Sequence, residues 1–250
     1  MYKNFSKVRI VNCIEREKEG IVQQRLLQRQ SKNVDVSIAF DPEMWGAWKT
    51  YKTALDVSDE SDWLIMMEDD VSFPVDILAR MDFILDSAPK NAFVFFYVPT
   101  NNKMKDAYDS NHKIVKTKYN WWMQCTAIPK KHREGLLKTI DEIWPLESDS
   151  GDGRVKKYIH VNNVEAYNIM PSLYQHLGTF RSSLGHSGII NGTARQSFCY
   201  EPNSKTFEID WEKEFANPFF DKSAKGLIGF EGLEKGIPLE KFNMKNGKKI

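Results

Sequence analysis

Five consecutive apolar residues, Trp63, Leu64, Ile65, Met66 and Met67, run straight into three carboxylates, Glu68, Asp69 and Asp70. A half-exposed strand would alternate apolar and polar residues. An unbroken apolar run instead reads as a strand covered on both faces, the kind found inside α/β sheets. In such sheets ligands bind beyond the carboxyl ends of the strands, where the three acids stand.

The flanking sequence supports that reading. VRIVNCI (8–14) is a β-branched first strand, residues 17–30 have helical composition, and DVSIAF (35–40) alternates like a second strand. Met44, Trp48, Tyr51 and Leu55 fall on one face of a helix. Pro74 sits near the start of another helix, whose inward residues are Ile77, Leu78, Met81, Ile84 and Leu85. AFVFFYV (92–98) closes a β-α-β-α-β-α-β order, the signature of a doubly wound sheet. Residues 101–119 read as a polar excursion or small hairpin, 120–128 as a strand, 132–143 as a helix and 164–170 as a last strand. The expected division is a catalytic domain over 1–196 and a C-terminal extension over 197–250, packed on the domain and ending in a flexible tail.

Composition narrows the class. With 41% apolar and 28% charged residues, the 250-residue chain has the make-up of a globular protein and not of a disordered one. A net charge of +1 argues against a surface that is one continuous nucleic-acid footprint, while leaving room for a local basic groove. Cys13, Cys125 and Cys199 are odd in number and widely spaced, so they offer neither a metal-binding pair nor a disulfide framework. No apolar stretch reaches the length of a signal core or membrane span, and the expected location is cytoplasmic, with no membrane partner.

Three adjacent carboxylates at a buried strand's exit repel one another, and a divalent cation best offsets that cost. Mg²⁺ or Mn²⁺ takes few carboxylates and completes its shell with water and phosphate oxygens, an arrangement that holds a nucleotide diphosphate. Asp70 is the first candidate for the direct ligand, with Glu68 or Asp69 meeting the metal through water or contacting the donor's ribose or sugar. The alternative is a solvated acidic turn ahead of a helix N-terminus.

WLIMMEDDVSFP (63–74) resembles the acidic, DxD-type motif of glycosyltransferases with the GT-A fold. PSLYQHLGTFRSSL (171–184) is similar to a stretch of the N-acetylglucosaminyltransferase IV family. Val11-Asn12-Cys13-Ile14-Glu15-Arg16 resembles the first strand and donor-facing turn of that group and, more weakly, of lipopolysaccharide and collagen glycosyltransferases. The resemblance implies an α/β fold of GT-A type, Rossmann-like with a mostly parallel sheet. It implies a metal-dependent, inverting transfer from a nucleotide sugar, with a UDP-sugar first. Asp70 then matches the metal-binding acid and His176 a histidine reaching the metal and diphosphate, with His186 a competitor. Asn12, Arg16, Arg181 and Ser182 become donor-binding candidates, and Ser183 a further phosphate or acceptor contact. The loop 147–153 lies where such enzymes keep their base, which makes Asp152 the first candidate and Asp149 the second. A helix cap is the plainer reading of Asp152.

The N-acetylglucosaminyltransferase IV enzymes are membrane-anchored, and this sequence shows no such anchor, so the acceptor does not carry over. A cytoplasmic glycan precursor and a hydroxymethylated DNA base both remain. For the latter, Trp121 and Trp122 with Lys130, Lys131, His132, Arg133, Lys156 and Lys157 would form an aromatic and basic groove. A metal-dependent nuclease and a non-catalytic nucleotide-binding module are the readings from other classes.

Overall fold

The computed structural model describes residues 2–43, 47–100, 102–118, 123–143, 151–177, 189–190, 193–194, 197–221, 242–243 and 248–249. The chain begins with β1 (Lys7–Cys13), a 3-10 turn (Ile14–Arg16), α1 (Glu17–Gln30), β2 (Asp35–Asp41) and α2 (Ala47–Ala54). There follow β3 (Trp63–Glu68), β4 (Val71–Ser72), α3 (Ile77–Ser87), β5 (Phe93–Phe95), α4 (Asn102–Asp109), β6 (Ile114–Thr117) and β7 (Cys125–Pro129). The remainder comprises α5 (Lys130–Ile143), α6 (Gly151–Val161), β8 (Ala166–Ile169), β9 (Gln175–His176), the pair β10 (Ile189–Ile190) and β11 (Thr193–Ala194), α7 (Trp211–Ala216) and β12 (Phe219–Phe220).

Eight strands form one sheet in the order β12-β6-β8-β5-β7-β3-β1-β2. β1 is parallel to both β2 and β3, and β5 is parallel to β8. β7 lies antiparallel between β3 and β5, so β1, β2, β3, β5 and β8 all point the same way. The fold is thus α/β with a large, mostly parallel sheet. The β-α-β-α-β-α-β reading places the elements but not β7, which enters from later in the chain and separates β3 from β5.

Helices cover both faces, as the unbroken apolar run of β3 requires. Ile65 and Met67 pack with Leu27 of α1, Leu78 and Met81 of α3, and Trp211 of α7. Leu64 and Met66 face the other way, against Tyr51 of α2, Leu136 of α5, and Val155 and Ile159 of α6. All five apolar residues of β3 are fully buried. Burying a side chain of this size is worth roughly 1.5–3 kcal/mol, so β3 is the axis of the core.

Two stretches hold more structure than their sequence announces. Residues 101–119 supply α4 and β6. α4 has eight residues and buries only Met104 and Ala107, too few to register as a periodic face. Beyond residue 197, Trp211 and Phe215 fall four apart and join the core, Asp210 caps α7 by accepting from Lys213 N (3.1 Å), and β12 adds to the sheet edge beside β6. Arg80 fixes the preceding segment through Ser204 O, Ser204 Oγ and Thr206 Oγ1 at 2.9, 2.7 and 3.1 Å. Among the described residues, no helix is long and apolar enough to cross a membrane.

α6 carries a testable electrostatic cost. Lys157 is 2% exposed, and burial lowers its ammonium from 10.5 to about 8. The folded form therefore releases this proton near pH 8 and the unfolded chain near 10.5, so Lys157's contribution to stability rises as pH increases through that window. Between pH 7 and 10, the urea midpoint of the wild type is expected to rise relative to that of Lys157→Met. A constant difference would show that Lys157 keeps its ordinary affinity for protons.

Candidate active site

The parallel pairing of β1 and β3 sets Val11 opposite Glu68, so the last residues of β1 stand beside the three acids. The acids then separate. Asp69 turns inward and is completely buried. Its Oδ2 accepts from Asn12 Nδ2 at 2.6 Å and from Cys13 N at 3.1 Å, and its Oδ1 lies 2.7 Å from Arg16 Nη2. Gln23 of α1 clamps the same turn, its Nε2 donating to Asp69 O (2.9 Å) and Val71 O (2.7 Å).

Asp70 points to the other side of Arg16. Arg16 Nη1 donates to Asp70 Oδ2 at 3.1 Å, and His176 Nε2 lies 3.3 Å from the same oxygen. The histidine arrives there because β4 and β9 pair antiparallel with Val71 opposite His176, and Leu177 N donates to Asp70 O at 2.7 Å. Ser172, fully buried, holds the approach to β9: its Oγ lies 3.2 Å from Phe96 O and 2.8 Å from Tyr174 O, and it accepts from Val98 N. Glu68 stands apart, with Gln124 Nε2 donating to its Oε2 at 3.1 Å.

The two aspartates are pushed in opposite directions. Burial lifts the Asp69 carboxyl to about 6, the charge of Arg16 opposing the rise and that of Asp70 adding to it. Burial also opposes ionisation of Asp70, but the His176 hydrogen bond and the Arg16 charge outweigh it and hold its carboxyl below the ordinary range. Arg16 loses solvation on burial, yet Asp69 and Asp70 together raise its affinity for its proton.

This end of the sheet also gathers unpaired polarity. Asn12 Oδ1, Gln23 Oε1, Asp70 Oδ1, Gln124 Oε1, His176 Nδ1 and Arg16 Nε are buried without hydrogen-bond partners. Each such atom costs about 1–3 kcal/mol unless something meets it, and most here are oxygens that seek a cation or a donor. Among the described residues, no three or more His, Cys, Asp or Glu side chains are grouped to hold a metal. Asp70 Oδ1 nonetheless suits a hard cation that takes few protein ligands and leaves the rest of its shell to water and phosphate, while His176 meets Asp70 through Nε2 and so turns its unpaired Nδ1 away from that carboxylate.

Asn12, Arg16, Asp69, Asp70 and His176, all singled out from the sequence, meet at this one place, with Glu68 next to them in the chain but bonded to Gln124. Asp149, Arg181, Ser182, Ser183 and His186 lie outside the described residues, as do Trp121 and Trp122. Asp152 falls in the first turn of α6, and its side chain lies outside the described residues. α6 leads into β8 at the amino edge of the sheet, so its first turn lies toward the carboxyl edge. The basic groove loses Lys157, which is 2% exposed, and Arg133, which is 1% exposed and bonded inward to Asp59 O (2.5 Å) and Ser61 O (2.9 Å). His132 Nδ1 is engaged by Tyr158 Oη at 3.0 Å. The buried Arg133–Asp59 pair shows that a cation in a basic run can be a core strut.

The sequence reading missed Gly20, Gln23 and Gln124. Gly20, Gln23 and Leu27 are the buried residues of α1, spaced i, i+3, i+7, so the periodicity did mark the polar members of the inward face. At Gly20 a Cβ would lie 2.7 Å from Asn12 Cγ and Nδ2. Asn12 cannot yield easily, because its Nδ2 is bonded to both Asp69 and Arg16 O. Gly20→Ala is expected to destabilise by about 1–2 kcal/mol, overpacking exceeding the gain in helix propensity. A thermal melt equal to or above that of the wild type would show that Asn12 moves freely.

No protein-family model matches the chain, and no curated protein does. Among solved structures, it is similar to the crystal structure of S. aureus TarS 1-349, with a TM-score of 0.40 and 11% identity over 68% of this chain. The match covers 59% of that structure's length.

Proposed function

We propose that this chain is a glycosyltransferase that moves a sugar from a nucleotide-sugar donor, a UDP-sugar first, to an acceptor hydroxyl with inversion, assisted by Mn²⁺ or Mg²⁺. The observation that carries the reading is Asp70 at the carboxyl end of β3. It is ionised by its surroundings, backed by Arg16 and His176, and left with one buried oxygen unpaired. The likeness of 63–74 to the acidic motif of GT-A glycosyltransferases, and of 171–184 to the N-acetylglucosaminyltransferase IV family, supports the same assignment.

On this reading Asp70 would hold the cation, which when bound would offset the diphosphate's negative charge as it leaves, and His176 would meet the diphosphate or, with its ring turned from Asp70, join the cation. Arg16 fixes Asp70 and supplies a positive charge of its own. Asp69, with Asn12 and Gln23, keeps Arg16 in place. The acceptor oxygen bonds to the anomeric carbon as the bond to the diphosphate oxygen breaks, and the acceptor proton passes to a carboxylate, for which we assign Asp152 on the first turn of α6. With Arg133 turned inward, a glycan-precursor hydroxyl is the first acceptor and a hydroxymethylated DNA base the second.

Calorimetric titration with UDP and UDP-sugars, in Mn²⁺ and then in EDTA, tests the donor site. Binding that requires the metal is expected. Absence of binding under every condition would overturn the reading, and metal-dependent DNA cleavage would replace it with a nuclease.

A further inference from the structure

Gln124 precedes β7, opposite the end of β3, where Glu68 N donates to its carbonyl oxygen at 2.9 Å. Its side chain is 3% exposed, and its orientation is fixed by chemistry: a carboxylate only accepts, so the amide nitrogen faces Glu68 Oε2 and the amide oxygen points away. That oxygen is buried and has no partner. It stands beside a carboxylate, so the pair offers acceptors and repels phosphate. Groups that match it carry O–H or N–H.

The sheet's alternation shows which face Glu68 and Gln124 share. Leu64 and Met66 of β3 and Ile128 of β7 face α2, α5 and α6. Glu68 and Gln124 continue those alternations at even spacing and so share that face. α6 packs on it through Val155 and Ile159, with its first turn, the one bearing Asp152, at the carboxyl edge. Asp69, Asn12 and Gln23 occupy the opposite face. With Asp152 as the proposed base beside the anomeric carbon, the sugar belongs on the α6 face and the diphosphate between the faces, at Asp70.

We propose that Gln124 is a specificity-determining residue whose amide oxygen receives a ring hydroxyl of the transferred sugar, with Glu68 holding the amide in register. This rests on the glycosyltransferase reading above. The test compares UDP with UDP-glucose and UDP-galactose by calorimetry in Mn²⁺, on the wild type, Gln124→Met and Gln124→Asn. Methionine keeps the length and removes the acceptor, while asparagine withdraws it by one carbon. In both variants the affinity for UDP is expected to stay within about twofold, while that for the UDP-sugar preferred by the wild type falls about tenfold, as expected on losing one hydrogen bond to a buried acceptor. Should either variant melt cooperatively and keep the wild-type ratio of UDP-sugar to UDP affinity, the amide serves only the fold or a buried water, and the proposal is overturned. If the wild type binds UDP but gains or loses nothing from the sugar, the sugar assignment fails while the nucleotide site stands. If it binds neither UDP nor either UDP-sugar, the donor reading itself fails, before any variant is needed.

Discussion

Asp70→Ala is expected to remove sugar transfer by 10²–10³-fold or more while changing stability little. Asp70 keeps one buried oxygen without a hydrogen bond, whereas both oxygens of Asp69 are held close to Asn12, Cys13 and Arg16, and removing a charge aimed at a developing charge commonly costs that much in rate. Stability should hold because Arg16 keeps Asp69 at 2.7 Å, and Asp69 loses a like-charged neighbour. The measurement is initial-rate transfer or donor hydrolysis with a UDP-sugar, alongside a thermal melt. Retention of more than about a tenth of the wild-type rate would show that Asp70 is part of a structural turn.

Asp69→Ala is expected to do the reverse and unfold the chain more than any other single change at this site. It would leave Asn12 Nδ2 and Cys13 N without their acceptor and strip Arg16 of its nearer carboxylate, all in the interior. Breaking a buried ion pair from one side costs about 3–5 kcal/mol. In a domain of this size that corresponds to a fall in melting temperature of roughly 10 °C. A melt within about 2 °C of the wild type would mean that Asp69 does not anchor the β1–α1 turn. Together the two variants separate neighbours that the sequence presents as a single acidic cluster.

Much of the architecture was written locally. Glu17–Gln30 is a helix and Asp35–Asp41 a strand because helical composition and alternation act over short distances. β3 was legible because a strand buried on both faces cannot tolerate polar residues. Other parts were hidden for the opposite reason. α4 buries too few side chains and the four-residue β6 is too short to leave a pattern, and the antiparallel placement of β7 depends on partners about 30 and 60 residues earlier.

The candidate site divides the same way. The chain's own order determined that acids stand at a strand's carboxyl end and that a Gln-His pair follows the last core strand. Only the tertiary structure decided which acid does what. Burial and three donors from the end of β1 and the turn after it claim Asp69, Gln124 claims Glu68, and the pairing of Val71 with His176 delivers the imidazole to Asp70. Hydrogen-bond partners are set by distances between residues far apart in the chain, whereas strand and helix patterns are set by neighbours. That is why three adjacent carboxylates, alike in sequence, became a strut, a tethered side chain and a candidate ligand.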